Sequence, residues 1–279
     1  MILSHEIPKG SKLYFGKEAR KKRELENLIS DLLYQEGYEE ISTPSFAYLE
    51  HQRDTTSREV VRIVNQYNQQ ITLRHDSTID TLRLLSPHIK EQRVGKKWFY
   101  MQPVFTYPTT EINQIGVENF ENDCVLPHIK LCLEFLKKLA LFPLLQISNA
   151  KIPKLCTQEF NVALEDFEKI NLAKIQDAHP FLKALMGVQN LQNLQALLKE
   201  APSSLKEELK ELLELAKSLE YEKLILAPLF YAPMPYYDGM LFRFFMYNKT
   251  VILGGSYKIN DEKACGFGIY TDHLLSIKE

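Results

Sequence analysis

No surplus of either charge marks this chain. Its 34 Lys and Arg stand against 36 Asp and Glu, a formal net charge of -2. A protein whose main task is gripping a polyanion ordinarily carries a basic excess, because neutralising phosphates supplies most of the affinity. The balance speaks against a dedicated nucleic-acid binder. Cysteine is scarce too: Cys124, Cys132, Cys156 and Cys265 form no C-x-x-C pair. That argues against a zinc ribbon and a disulfide framework and for buried free thiols in a reducing compartment. No run reaches the roughly 18 apolar residues a membrane helix needs. The first ten residues, with His5, Glu6 and Pro8, lack the apolar stretch of a signal peptide, so a cytoplasmic protein with no membrane contact is expected. Also missing are the G-x-G-x-x-G and G-x-x-x-x-G-K-[ST] phosphate loops, an H-E-x-x-H pair among the seven histidines, and a G-x-S-x-G elbow. No bound metal and no cofactor are expected.

What is present is an ordinary globular composition, 45% hydrophobic and 25% charged over 279 residues, long enough for a substantial core. Leu25, Leu28, Ile29, Leu32 and Leu33 fall on one stripe of a helix spanning 18–36, with Gly37 placed to end it. A short strand should follow up to Pro44. Val60–Val64 and Gln70–Arg74 pattern as a hairpin, Ser77–Arg93 as a helix, and Trp98–Phe105 with Glu111–Phe120 as two long neighbouring strands. Val125–Leu141 patterns as an amphipathic helix. Residues 153–221 turn to Leu, Lys, Glu, Ala and Gln. Within them Ser204 and Glu207 make a capping-box pattern ahead of Leu205, Leu209, Leu212 and Leu213. Strands return at Lys223–Ala227, Met240–Met246, Thr250–Leu253 and Gly266–Tyr270. The pattern predicts an α+β fold, an antiparallel sheet flanked by helices. It divides into a first core part (1–152), a helical insertion (153–221) and a second core part (222–279).

Four places could hold chemistry. On the strand from Glu111 to Phe120, side chains alternate faces, so Gln114, Gly116 and Glu118 share one. The amide and the carboxylate stand about 13 Å apart along the strand at roughly 3.3 Å per residue. Gly116 leaves room between them, suiting either a pocket floor for a small polar ligand or a half-solvated strand. Asp76, at a strand-to-helix junction, can cap the helix that starts near Ser77 or hold an ammonium group. Tyr236 and Tyr237, just before a strand, can place one ring in the core and one hydroxyl in a cleft. Gly254–Gly255 and Gly266–Phe267–Gly268 allow tight turns or close backbone approach.

In this order, the pieces resemble the catalytic domain of histidyl-tRNA synthetase, a class II fold, over about residues 5–275. The helix ending at Gly37 with the segment to Pro44 looks like motif 1, which in that family builds a dimer interface. Trp98–Phe105 followed by Asn113–Glu118 looks like motif 2. Tyr236–Tyr237 resembles the tyrosine pair of the histidine-specific motif, and Gly266–Tyr270 the start of motif 3. The departures matter more. Motif 2 of the synthetases has an arginine that clamps phosphate and an acid two residues on; here Thr106 and Pro108 stand there, and the loop is cut to about Thr106–Glu111. His273 takes the motif 3 arginine position, and Ala232 and Pro235 replace an arginine and an acid of the histidine motif. Threonine cannot offer a bidentate guanidinium, and adenylate formation depends on such charges around the phosphates. Synthetase activity is therefore not expected, nor is tRNA binding. An anticodon-binding domain is not expected after motif 3.

The amino-acid side survives. By the resemblance, Asp76 would take the α-ammonium of histidine with Gln114 assisting, Glu118 and Tyr237 would address the imidazole, and Tyr236 would flank it. Such a relative is similar to the regulatory subunits of ATP phosphoribosyltransferase. That family partners a short-form catalytic subunit in histidine biosynthesis and takes part in feedback inhibition by histidine. The resemblance implies a non-catalytic, homodimeric regulatory subunit. The alternatives are a stand-alone paralogue that binds an amino acid or nucleotide without a transferase partner, an active synthetase, and a structural dimer with a dead pocket.

Overall fold

The computed structural model describes residues 5–52, 59–231, 234, 236–259 and 262–277. They fall into two compact units, Met1–Asn119 with Gly268–Glu279, and Phe120–Phe267.

In the first unit, α1 (Gly16–Gln35) buries Leu25, Ile29, Leu32 and Leu33 of the predicted stripe and leaves Leu28 half-buried. It ends where Gly37 takes φ +78°, a conformation cheap only without a Cβ. The Gly37 and Tyr38 N–H groups then donate back to the Tyr34 and Leu33 carbonyls. The strand expected up to Pro44 shrinks to β1 (Glu39–Glu40). β2 (Phe46–Tyr48), β3 (Arg62–Val64) and β4 (Gln70–Leu73) make a small antiparallel sheet in the order β2-β4-β3. Its hairpin turns where the Asn65 side chain accepts from the Tyr67 and Gln69 N–H groups, as turn asparagines do.

α2 (Ser77–Lys90) starts at Asp76, whose carboxylate accepts from the Ile79 N–H at 3.1 Å, the cap the sequence predicts. β5 (Lys97–Thr106) and β6 (Thr110–Asn119) run antiparallel, with Gln102 opposite Gln114, Tyr100 opposite Gly116 and Trp98 opposite Glu118. β1 joins β5 in parallel.

In the second unit, α3 (Leu126–Lys138) buries Ile129, Cys132, Phe135 and Leu136. β7 (Leu144–Asn149) follows. Nothing in the sequence marked it, because it sits in a leucine-rich stretch where a short apolar run reads as helix or strand alike. Six helices come next: α4 (Lys151–Phe160), α5 (Leu164–Glu168), α6 (Leu172–Ala178), α7 (Pro180–Met186), α8 (Leu191–Leu197) and α9 (Ser203–Lys217). In α9, Leu205, Leu209, Leu212 and Leu213 are buried as the spacing predicts. The capping box is not formed. The helix begins at Ser203 with Pro202 in the cap position and no side-chain cap. Ser204 therefore lies within the first turn and donates to Glu159 at 2.6 Å.

The sheet of the second unit adds β8 (Leu224–Leu226), β9 (Tyr237–Met246), β10 (Lys249–Ile259) and β11 (Glu262–Tyr270), in the order β11-β10-β9-β7-β8. β9, β10 and β11 outrun the segments the sequence marked, β10 because Gly254–Gly255 do not turn the chain, while β8 is shorter than the expected Lys223–Ala227. A Cβ on Gly254 would lie 2.5 Å from the Gly266 carbonyl oxygen and 2.6 Å from the Phe267 Cβ, so the glycine permits close approach instead. β7 pairs antiparallel with β9 and parallel with β8. The fold is α+β, with parallel pairs at β1–β5 and β7–β8 in an otherwise antiparallel pattern. The chain then enters α10 (Thr271–Leu275), part of the first unit, where Asp272 accepts from the Tyr14 hydroxyl and, at 3.2 Å, from the Asn113 N–H.

All four cysteines are free, and Cys124 is exposed rather than buried as expected. Burial pushes the Cys156 thiol up to about 12. Among the described residues no helix is long and apolar enough to cross a membrane.

Candidate ligand-binding site

Three of the five candidate residues lie in the first unit. Asp76 is 7% exposed and Glu118 2% exposed, while Gln114 is half-buried. The strand geometry that puts Gln114, Gly116 and Glu118 on one face of β6 also puts Gln102, Tyr100 and Trp98 opposite them on β5. Tyr100 is 2% exposed and its ring lies against Gly116. A Cβ there would fall 2.0 Å from the Tyr100 Cζ and 2.1 Å from its hydroxyl oxygen. The room that Gly116 leaves is thus taken by Tyr100, which corrects the expectation that the glycine opens that face to a ligand.

The Tyr100 hydroxyl connects two of the candidate segments. It lies 3.1 Å from the Thr78 hydroxyl at the start of α2 and donates to Glu118 Oε1 at 3.4 Å. Beside it, Gln102 donates to the hydroxyls of Thr43 (2.8 Å) and Ser77 (3.0 Å) and accepts from the Thr43 N–H (3.1 Å). Asp76, Ser77 and Thr78 are consecutive, so one turn of α2 is tied to β5 by two hydroxyls and capped by a carboxylate. Such a buried network fixes rotamers when its members are satisfied.

Arg74 is the cation of this region, 3% exposed. Its guanidinium donates to the carbonyls of Pro103, Thr43 and Pro44. Burial pulls its pKa below the ordinary value, and Asp80 works against that. The group ties loop to strand.

The motif-like substitutions can be followed on the described residues. Thr106 donates its hydroxyl to the Glu59 carbonyl at 2.8 Å. Its partner Thr110 lies directly across the ladder, so only Tyr107, Pro108 and Thr109 turn the chain. His273 sits in α10 with its ring 5.3 Å from Tyr270. Ala232 and Pro235 lie outside the described residues.

The remaining two candidates belong to the second unit. Tyr237 opens β9 and is 7% exposed, and Tyr236 is half-buried. Their ring centroids are 5.0 Å apart, and Tyr236 meets Tyr257 edge-on at 5.8 Å. Lys154 of α4 donates to the Tyr237 carbonyl at 3.1 Å. Sequence reasoning missed Tyr100, Gln102 and Arg74. The first two were findable: the turn at Pro108 fixes the β5–β6 register, and that register places them on the face of Gly116 and Gln114.

A fold of this kind is known. A structure described as an ATP phosphoribosyltransferase regulatory subunit/histidyl-tRNA synthetase from Bacillus halodurans superposes with a TM-score of 0.83 over 99% of this chain and 83% of the other, at 19% identity. A histidine–tRNA ligase subunit from Alicyclobacillus acidocaldarius does so with 0.83 over 99% and 98%, at 16% identity. Both likenesses speak of fold, and they define a class II, histidyl-tRNA synthetase-like domain. The histidyl-tRNA synthetase family model matches residues 14–274. Identity is more particular: the ATP phosphoribosyltransferase regulatory subunit of Wolinella succinogenes is 47% identical over 99% of this chain and 96% of its own length. That of Helicobacter hepaticus is 46% identical over 99% and 98%. The chain belongs to the family of ATP phosphoribosyltransferase regulatory subunits, a branch of the histidyl-tRNA synthetase fold.

Proposed function

We propose that this chain is a non-catalytic regulatory subunit that supports a short-form ATP phosphoribosyltransferase catalytic subunit in histidine biosynthesis and conveys feedback inhibition by histidine. The carrying observation is near full-length identity of 46–47% to two regulatory subunits. Thr106 and Pro108 stand where the resemblance calls for a phosphate clamp and its acid. Residues 153–221 are, in this reading, a helical insertion in the synthetase-like core. The protein is cytoplasmic and pairs with a second copy through its motif 1-like region.

Histidine is the effector. Its α-ammonium goes to Asp76 with Gln114 beside it, its imidazole to Glu118 and Tyr237, and Tyr236 flanks the ring. The burial of Glu118 and its bond from Tyr100 support this role, since a carboxylate held in one rotamer is pre-organised for a ring N–H. Inhibition then requires histidine to bind the inhibited state of the complex more tightly than the active one.

The test is reconstitution. Mixed with a short-form catalytic subunit from the same organism, the chain should restore transferase activity, and histidine should then suppress it. In calorimetry Glu118→Ala should lose histidine binding by about 100-fold, as when a charged hydrogen-bond partner is removed. A catalytic subunit that is equally active with and without this chain overturns the regulatory reading. Histidine-dependent ATP–pyrophosphate exchange by the chain alone would make it a synthetase instead.

A further inference from the structure

The second unit holds a cavity of about 510 Å³ that the histidine reading does not use. It lies among α5–α7, β7, β8 and the segment after β8. Small-molecule sites run from roughly 300 to 1,000 Å³ and pair apolar walls with a few placed polar groups. Here Phe167, Phe230 and Tyr231 supply rings, and Gln146, Glu168 and Gln189 supply polar side chains.

Gln146 is the telling residue. It is 4% exposed, and its Oε1 accepts from Arg243 twice, from Nε at 3.1 Å and from Nη2 at 2.8 Å. Arg243 is itself clamped, its guanidinium 4.3 Å from the Phe230 ring centroid and 5.0 Å from that of Phe245. The amide cannot flip without turning its NH2 onto a cation. Its Nε2 is therefore fixed as a donor, and among the described residues it has no hydrogen-bond partner. Leaving a buried donor unmade costs about 1–3 kcal/mol, a cost that a ligand acceptor would remove. Glu168, also on the lining, offers an acceptor and helps hold the Tyr231 hydroxyl protonated, second to burial.

We infer that this cavity is a second binding site, for a neutral planar heteroaromatic ring with an acceptor on one edge and an N–H donor on another. The aromatic walls take the ring faces. The Gln146 NH2 donates to the ring acceptor after a small shift of the ring or amide, and Glu168 accepts from the ring N–H. The exposed carboxylate of Glu168 disfavours an anion, and the Arg243 charge behind Gln146, with no carboxylate at salt-bridge distance among the described residues, disfavours a cation at the amide end.

The probe is 2-aminopurine, whose fluorescence falls on stacking, titrated into the full chain with benzoate as the anionic control. A saturable fluorescence loss is expected. Ala227→Leu, which fills the cavity from its wall, should abolish it. Gln146→Glu keeps an acceptor for Arg243 but deletes the NH2 donor, and should weaken binding about tenfold, the worth of one such hydrogen bond. Circular dichroism and histidine calorimetry should be unchanged in both variants, which separates this site from the histidine reading. No saturable change with the unaltered protein, an undiminished change in Ala227→Leu, or benzoate binding as tightly as 2-aminopurine would each overturn the inference.

Discussion

Gln102 and Gln146 are both buried strand glutamines, one in each unit, 7% and 4% exposed, and their surroundings treat them oppositely. Gln102 uses both ends of its amide, two hydroxyls taking its N–H groups and a backbone N–H meeting its oxygen. Gln146 spends its oxygen on one arginine, and its nitrogen has no partner among the described residues. A closed polar network rigidifies what it joins, whereas a half-satisfied one raises the energy of the site that contains it. The first unit therefore has the character of a scaffold holding Asp76 and Glu118 in place. The second has a wall with one donor to spare beside a cavity.

The sharpest way to break that contrast is to add a single methyl group to the scaffold. Gly116→Ala places a carbon 2.0 Å from the Tyr100 ring, and Tyr100 is walled in. The ring must leave, taking its bonds to Thr78 and Glu118 with it. The expected cost is about 3 kcal/mol, the upper end for overpacking a core, read as a lower urea midpoint. The same variant should lose histidine binding. Near-native stability would mean the ring has an alternative place and the face is less closed than it looks.

Next come the two glutamines themselves. Gln102→Leu strands the Thr43 N–H in a buried setting and takes a donor from the Thr43 and Ser77 hydroxyls, for about 2 kcal/mol. Gln146→Leu removes two bonds from Arg243 but also removes the unpartnered N–H2. Arg243 keeps its ring contacts and enough exposure to find water, so the loss should be about 0.5 kcal/mol. Chemical denaturation of the two variants side by side checks the ordering. Equal losses would erase the distinction between a closed network and an open one.

The sequence told these regions apart unevenly. The first unit's scaffold was legible in outline. Helix periodicity gave α1, Asp76 before a helical pattern gave the cap, and alternation gave the shared face of Gln114, Gly116 and Glu118. The occupant of the space over Gly116 takes one more step, since a glycine shows only that something comes close. Tyr100 became the answer only through the β5–β6 register. In the second unit, Leu205, Leu209, Leu212 and Leu213 were legible because a helix repeats its buried face. β7 was not, and with it went Gln146: six residues in a leucine-rich stretch show no period that separates strand from helix. The cavity depends on short helices, α5 to α7, whose five to seven residues are too brief for periodicity to speak. The resemblance to the family was legible in motif order, which survives where local pattern fails.

The smallest expected effect tests whether surface charge contributes to the second unit at all. Lys263 and Asp123 approach to 2.9 Å, but their side chains are 68% and 44% exposed. The hydrogen bond from Lys263 is the largest cause holding the Asp123 carboxyl below its ordinary pKa, ahead of an opposing desolvation. A carboxyl depressed on folding stabilises above its unfolded pKa, and that contribution fades as pH falls through the folded value. The pair should therefore help at neutral pH and vanish in acid. Exposed pairs are worth little because water and salt screen them. Lys263→Ala should thus leave the thermal midpoint near that of the parent at pH 7 and merge with it at pH 3. A clear loss at pH 7 that persists in acid would mean that Lys263 acts through its methylene packing rather than its charge, and that the exposed end of β11 is held by contact in the way α9 is.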